Sequence, residues 1–148
     1  MTIESINKWH IAARPNPDTQ ALNVQLGCHL EEVCEMFEAS EFTNQAGITT
    51  LGEDHSAYVL LKELSKALKA GQIQVDITNR KLFADSLGDQ VVTAVGVGHC
   101  AHMNTPEIIR RVDTSNWTKF VNGVPQFLPN GKIAKASTYE EPNLEGTY

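Results

Sequence analysis

Leu26-Gly27-Cys28-His29-Leu30-Glu31-Glu32-Val33-Cys34-Glu35-Met36-Phe37-Glu38 identifies the chain as helical. Taken with Leu22 upstream, its apolar residues Leu26, Leu30, Val33 and Phe37 recur three or four positions apart, the period of a helix. Asn16-Pro17-Asp18 supplies a start signal: an N-cap, a proline at the first helical position and an acidic first turn. The pattern predicts a helix that runs to about Phe42 and stops before Asn44 and Gly47.

Four more helices are expected on either side of it. Ile3 to Ala13 reads as a short helix ended by Arg14-Pro15-Asn16-Pro17, where proline blocks continuation. His55 to Lys69 sets Leu60, Leu61, Leu64 and Leu68 against Lys62, Glu63, Lys66 and Lys69, with Gly71 as the stop. Lys81 to His102 is apolar or small nearly all round, which predicts a buried helix. A fifth opens at Thr105-Pro106-Glu107 and carries Ile108, Ile109 and Val112. Beyond Trp117, Asn122-Gly123 and Pro129-Asn130-Gly131 are turn signals around Pro125 to Leu128, the mark of an extended tail or small hairpin. The expected fold is all-α: a helical bundle of four to five helices in one domain, residues 1–148, with a loop-rich C-terminal tail from about 118 to 148. An oligomer, dimer or tetramer, is expected too, because a helix as apolar as Val91 to Ala101 needs cover on every side.

At 148 residues the chain is long enough to bury a core, and 41% hydrophobic with 20% charged residues is ordinary for a globular protein. A net charge of −6 argues against a nucleic-acid or anionic-membrane partner. Three cysteines, Cys28, Cys34 and Cys100, in a chain with no signal peptide point to reduced thiols and a cytoplasmic location. The longest apolar run is too short and interrupted to span a bilayer.

The chemistry lies in the carboxylates. Glu31-Glu32-Val33-Cys34-Glu35 reads E-E-x-x-E, with Glu38 and Glu41 following, and no Lys or Arg occurs from Pro15 to Leu61. Asp85 and Asp89, spaced i and i+4, share one face of the apolar helix, and no other charged residue follows before Pro106. Carboxylates gathered without counter-charge repel one another, and a buried aspartate without a partner costs several kcal/mol or is forced to protonate. A hard divalent cation with oxygen ligands resolves both problems. Were the two helices to face each other, Glu32, Glu35, Asp85 and Asp89 would form one oxygen-rich site. Competing chemistries fit less well. No histidine has a Glu three residues before it, as a di-iron bundle requires. No C-x-x-C pair marks a zinc site, no local signature marks a Ser or Cys nucleophile, and no phosphate loop is present.

These residues resemble a known superfamily. E-E-x-x-E at Glu31 to Glu35 followed by Asp89 on an apolar helix is similar to the MazG and phosphoribosyl-ATP pyrophosphohydrolase superfamily. Ile6-Asn7-Lys8-Trp9-His10 resembles its opening helix, and Asp85-Ser86-Leu87-Gly88-Asp89-Gln90-Val91-Val92 its D-A-L-A-D-x-x-Y-V segment. Val112 to Lys119 resembles the V-x-x-S-N-M-x-K stretch of the phage-carried branch, and Asn130 to Leu144 its D-G-K-V-x-K-x-x-x-Y-x-P-x-L tail. The stretch from about Asn44 to Arg80 lies outside the likeness. Many members carry E-x-x-D on the second metal helix; here the glutamate position is Ser86, and Asp85 offers a D-x-x-x-D form instead.

The resemblance implies an all-α, oligomeric hydrolase that cuts a nucleoside triphosphate to monophosphate and pyrophosphate with Mg²⁺ or Mn²⁺, two to three per site. It implies metal ligands at Glu32, Glu35, Asp85 and Asp89, with Glu31 orienting or deprotonating the attacking water. Asn116, Lys119, Lys132 and Lys135 are the candidates to hold substrate, the lysines as point charges on phosphate oxygens. A purine deoxynucleotide such as dGTP is the first substrate expected, in the host cytoplasm if the chain is phage-encoded. The alternatives are phosphoribosyl-ATP hydrolysis on the same site, or a non-catalytic helical interaction protein.

Overall fold

Short polar side chains at the segment ends start the helices. The computed structural model describes residues 2–148, and Asp18, Asn79 and Asn104 each accept a backbone N–H three residues on: from Ala21 at 2.7 Å, Leu82 at 3.0 Å and Glu107 at 3.3 Å. Among the described residues these and other signals delimit five α-helices. They are α1 Thr2–Ala13, α2 Thr19–Glu38, α3 Ser56–Lys69, α4 Arg80–Cys100 and α5 Thr105–Trp117. The cap of α2 is Asp18 rather than Asn16, since it is the Asp18 carboxylate that reaches the Ala21 amide.

Two short hairpins accompany the helices, one between α2 and α3 and one after α5. α2 stops at Glu38, four residues before the expected end. Ser40 folds its hydroxyl back onto the Met36 carbonyl at 2.7 Å, and the chain then extends. Strand β1, Glu41–Thr43, pairs antiparallel with β2, Thr49–Leu51. Asn44 closes the turn between them, its side-chain oxygen accepting from Ala46 and Ile48 N–H. Gly52 then lies directly on the Phe37 carbonyl, where a Cβ would overlap backbone. The second hairpin pairs β3, Phe120–Val121, with β4, Val124–Pro125. Its Asn122-Gly123 turn has φ of 51° and 77°, as its sequence predicts.

The chain divides into two compact units. One comprises residues 17–75 with 127–132, and holds α2, α3 and the first hairpin. α2 and α3 form an antiparallel pair in which Asn23, Val24, Gly27 and Cys34 on α2 and Ser65 and Leu68 on α3 are buried. Ser65 donates its hydroxyl to the Gly27 carbonyl at 2.7 Å, and Val75 N–H donates to Asn23 Oδ1 at 2.9 Å. The leucine stripe is not the most deeply buried face. At about 100° per residue, the Asn23, Gly27 and Cys34 face is rotated roughly 80° from Leu22, Leu26, Leu30, Val33 and Phe37, which are half-buried. Small residues win that face because they let the α3 backbone come close.

The other unit comprises residues 1–16, 76–126 and 133–148. Its core is Trp9, Ala13 and Phe120, with Ile133 packed against them. Trp9 Nε1 donates to the Asn116 carbonyl at 2.9 Å, joining α1 to the end of α5. The C-terminal segment is held on α5: Ser115 Oγ donates to the Glu140 carbonyl at 2.6 Å, and Arg111 donates to the carbonyls of Asn143 and Glu145. The expected burial of α4 is not found in the single chain. Val92 is 69% exposed and Leu82 60%, and Val91 and Val97 are exposed as well. The α4 end turns onto α5, where Gly98 presses against the Thr105 side chain, while Gly88 and Gly96 face open space.

Candidate functional site

On α2, rotation of the packed face toward Glu31 and Glu38 places those acids beside lysines of α3. Lys69 Nζ donates to Glu31 Oε1 at 2.6 Å. Lys62 Nζ donates to Glu38 Oε1 at 3.0 Å, and Tyr58 donates its hydroxyl to the same oxygen at 2.6 Å. A third lysine comes from the tail. Gly131, at φ 82°, turns the chain; Leu128 N–H donates to the Lys132 carbonyl, and Lys132 Nζ reaches Glu31 Oε2 at 2.6 Å. The acidic helix lies in a stretch, Pro15 to Leu61, that has no Lys or Arg of its own. It acquires counter-charge through tertiary contacts.

This pairing sets the electrostatics. Burial would raise the Glu31 pKa, but hydrogen bonds from Lys132 and Lys69 outweigh it and hold the carboxyl below its ordinary range. Burial pushes the neighbouring Cys28 thiol up. The Glu38 carboxyl is lowered by its hydrogen bonds from Tyr58 and Lys62, and the Lys62 ammonium is pushed up to about 12, chiefly by the hydrogen bond to Glu38. Each Glu31 oxygen accepts one ammonium and keeps a further lone pair. The group can accept a hydrogen bond from water, yet its lowered pKa makes it a weak proton acceptor.

The four expected metal ligands are exposed. Glu32 and Glu35 lie one turn apart on α2, and Asp85 and Asp89 one turn apart on α4, the former in the unit of residues 17–75 and the latter in the other. As donor chemistry each pair fits a hard divalent cation: carboxylate oxygens at i, i+3 and i, i+4 spacing. Among the described residues, no three His, Cys, Asp or Glu side chains gather into a group that would hold a metal. The exposure of Asp85 and Asp89 corrects the expectation that their helix is too apolar to be exposed. Within its own unit α4 packs chiefly on α5, through its C-terminal end, and that leaves the aspartate turn in water.

Three of the four expected substrate residues converge. Lys119 Nζ donates to Asn116 Oδ1 at 2.7 Å and lies 5.9 Å from the Trp9 ring and 5.6 Å from the Tyr139 ring. Lys135 Nζ stands 4.8 Å from the same Tyr139 ring. Two ammonium groups thus sit at one aromatic side chain beside an amide, a grouping suited to phosphate oxygens. Lys132 is elsewhere, on Glu31. Asn116 lies in the last turn of α5, whose start is capped by Asn104. Lys69 and Tyr139 are members of these groupings outside the expected set. Lys69 reads as one more solvated lysine on an amphipathic helix, and its partner lies 38 positions away.

A cleft of about 490 Å³ lies in the same unit as Lys119, between Arg110, Arg111 and Thr114 on α5 and Glu140 to Asn143 of the tail. Glu107 engages both arginines, at 2.6 and 2.8 Å, and none of the expected site residues lines this cleft.

No family model, no curated protein and no solved structure matches this chain.

Proposed function

We propose that the chain is a metal-dependent nucleoside triphosphate pyrophosphohydrolase, converting a nucleoside triphosphate and water to the monophosphate and pyrophosphate. The observation that carries this reading is the convergence of Lys119 and Lys135 on the Tyr139 ring, with Asn116 accepting a hydrogen bond from Lys119. Lysines there hold phosphate oxygens. Exposed carboxylate pairs Glu32/Glu35 and Asp85/Asp89 would hold Mg²⁺ or Mn²⁺, ions that would screen the triphosphate charge and acidify bound water. In the hydrolysis the water oxygen bonds to the α-phosphorus, the bond from that phosphorus to the bridging oxygen breaks, pyrophosphate leaves with that oxygen and the water's proton passes to solvent; Glu31 would orient the water through its remaining lone pairs. A purine deoxynucleotide such as dGTP is the first substrate in this reading.

We also read the chain as a homodimer or homotetramer associating through α4. Its exposed Leu82, Leu87, Val91, Val92 and Val97 are apolar side chains that the chain itself leaves in water. Among the described residues no helix is long and apolar enough to cross a membrane.

The test is a screen of the eight common ribo- and deoxynucleoside triphosphates plus phosphoribosyl-ATP, with Mg²⁺ or Mn²⁺, for pyrophosphate release. Preferred turnover of phosphoribosyl-ATP would move the assignment to that substrate. Orthophosphate as product, full activity in EDTA, or no turnover of any of these substrates would overturn the reading, the last in favour of an interaction protein.

A further inference from the structure

We propose that Thr118 and Ser115 are positioning residues for the cationic surface at Tyr139: they lock the backbone on both sides of Tyr139, so that its ring gathers the Lys119 and Lys135 ammonium groups for one polyphosphate. The inference rests on the reading of those two lysines as holders of phosphate oxygens. Thr118 stands immediately before Lys119, and three hydrogen bonds tie it and Ser115 to the residues that flank Tyr139. Thr138 Oγ1 donates to the Thr118 carbonyl at 2.7 Å, and Glu140 N–H donates to Thr118 Oγ1 at 2.8 Å. Ser115 Oγ donates to the Glu140 carbonyl at 2.6 Å, and Ser115 is only 6% exposed. Thr118 Oγ1 also donates to the Ser115 carbonyl at 2.7 Å, so one hydroxyl links α5 to the tail. On the far side a turn closes, with Tyr139 N–H donating to the Ala136 carbonyl at 3.0 Å, and it sets Lys135 against the same ring.

Two ammonium groups at one ring repel each other, and long lysine stems have rotamer freedom that favours their dispersal. The face of an aromatic ring opposes this by attracting each cation. Its pull falls off within a few ångströms, so the ring works only if the backbone that carries it is held in register with Lys119. Thr118 supplies that register through its carbonyl and its hydroxyl, one residue from the lysine it serves. A ligand that meets the two lysines already gathered avoids the cost of ordering them. Glu141 stands 3.9 Å from Lys135 Nζ, but both side chains are largely exposed and the pair competes weakly with a multiply charged anion.

The test uses the full chain with inorganic tripolyphosphate as the probe, in EDTA so that no metal contributes, and calorimetry as the readout. Lys119→Ala and Lys135→Ala are each expected to bind it about tenfold more weakly than wild type, the scale of one lost charged hydrogen bond. Thr118→Val, which keeps the shape and both lysines but loses the hydroxyl, is expected to weaken binding as much, and Thr118→Ser to restore it. Tyr139→Leu should match Thr118→Val, while Tyr139→Phe, which keeps the ring, should bind as wild type does. Because Thr118 acts through Tyr139, adding Thr118→Val to Tyr139→Leu should cost nothing more. Wild-type affinity in Thr118→Val, no recovery in Thr118→Ser, or losses that add in the double variant would overturn the inference while the phosphate reading stands. Should Thr118→Val fail to fold, equal affinity in Tyr139→Leu and wild type would overturn it alone. Wild type that does not bind millimolar tripolyphosphate, or binds it undiminished in both lysine variants, would overturn the phosphate reading as well.

Discussion

The Lys69 side chain crosses α2 over Gly27, and the crossing works only because Gly27 has no Cβ: one placed there would stand 2.7 Å from Lys69 Cγ and 2.9 Å from the Ser65 carbonyl. In an ordinary helix interior a Gly→Ala change stabilises by about 1 kcal/mol. Here Gly27→Ala is expected to do the reverse, costing about 1–3 kcal/mol through overpacking against a backbone oxygen that cannot rotate away. Urea unfolding of the two proteins measures it, and a raised midpoint for the variant would contradict the close approach.

The double lysine contact gives Glu31 a pH signature. Its folded-state pKa is depressed, so its contribution to stability is fully present above the unfolded carboxyl value of 4.5 and is lost as pH falls through the lower folded value. Carbon-13 titration of the Glu31 carboxyl is expected to show a midpoint under 4.5, and Lys132→Ala or Lys69→Ala should each move it upward. Glu107, held down to about 2 by its hydrogen bonds from Arg110 and then Arg111, should titrate lower still. A Glu31 midpoint unchanged by both lysine variants would mean the pairing does not persist in solution.

Asp89 stands one turn from Asp85 on an exposed face of α4. If it holds metal, Asp89→Asn keeps the shape, removes the charge and relieves repulsion with Asp85. Turnover should vanish, metal-free stability should be unchanged or higher, and the thermal stabilisation that Mn²⁺ gives wild type should disappear. Melting curves of both proteins with and without Mn²⁺ decide it; a less stable metal-free variant with an intact Mn²⁺ response points to a structural aspartate instead.

Association through α4 has its own test. Val92 is 69% exposed, so Val92→Glu should leave the fold of the single chain undisturbed while placing a charge in any interface built there. Light scattering at micromolar concentration is expected to give a multiple of the chain mass for wild type and a lower mass for the variant. A monomeric wild type would remove the interface altogether.

Features governed by a few neighbouring residues are legible in the chain's own sequence. Prolines 15 and 17 follow the end of α1, Gly71 stops α3, Asn122-Gly123 turns the second hairpin, and α5 begins where Thr105-Pro106-Glu107 announces it. The hairpin at 41–51 is not legible, because Ser40 bending back on Met36 and Asn44 bridging its own turn are hydrogen bonds that leave no apolar period. Of the candidate site, the acids stand out in the sequence by charge alone, and their lysine partners do not.

Helix starts, and the identity of the helix that carries the acids, are properties of the linear chain, since capping, proline sterics and helical period act within a turn or two. Which face of α2 packs most tightly is a property of the folded chain alone. Periodicity counts large apolar side chains, but the approach of α3 is settled by the small ones, Gly27 and Cys34 with the hydrogen-bonded Asn23, so the pair closes away from the leucines and toward Glu31. That rotation is what brings Lys69 and Lys62 onto acids that have no lysine near them in sequence, and Lys132 joins them across 101 positions. Charge partners at such separation are fixed by packing geometry, which no local pattern encodes.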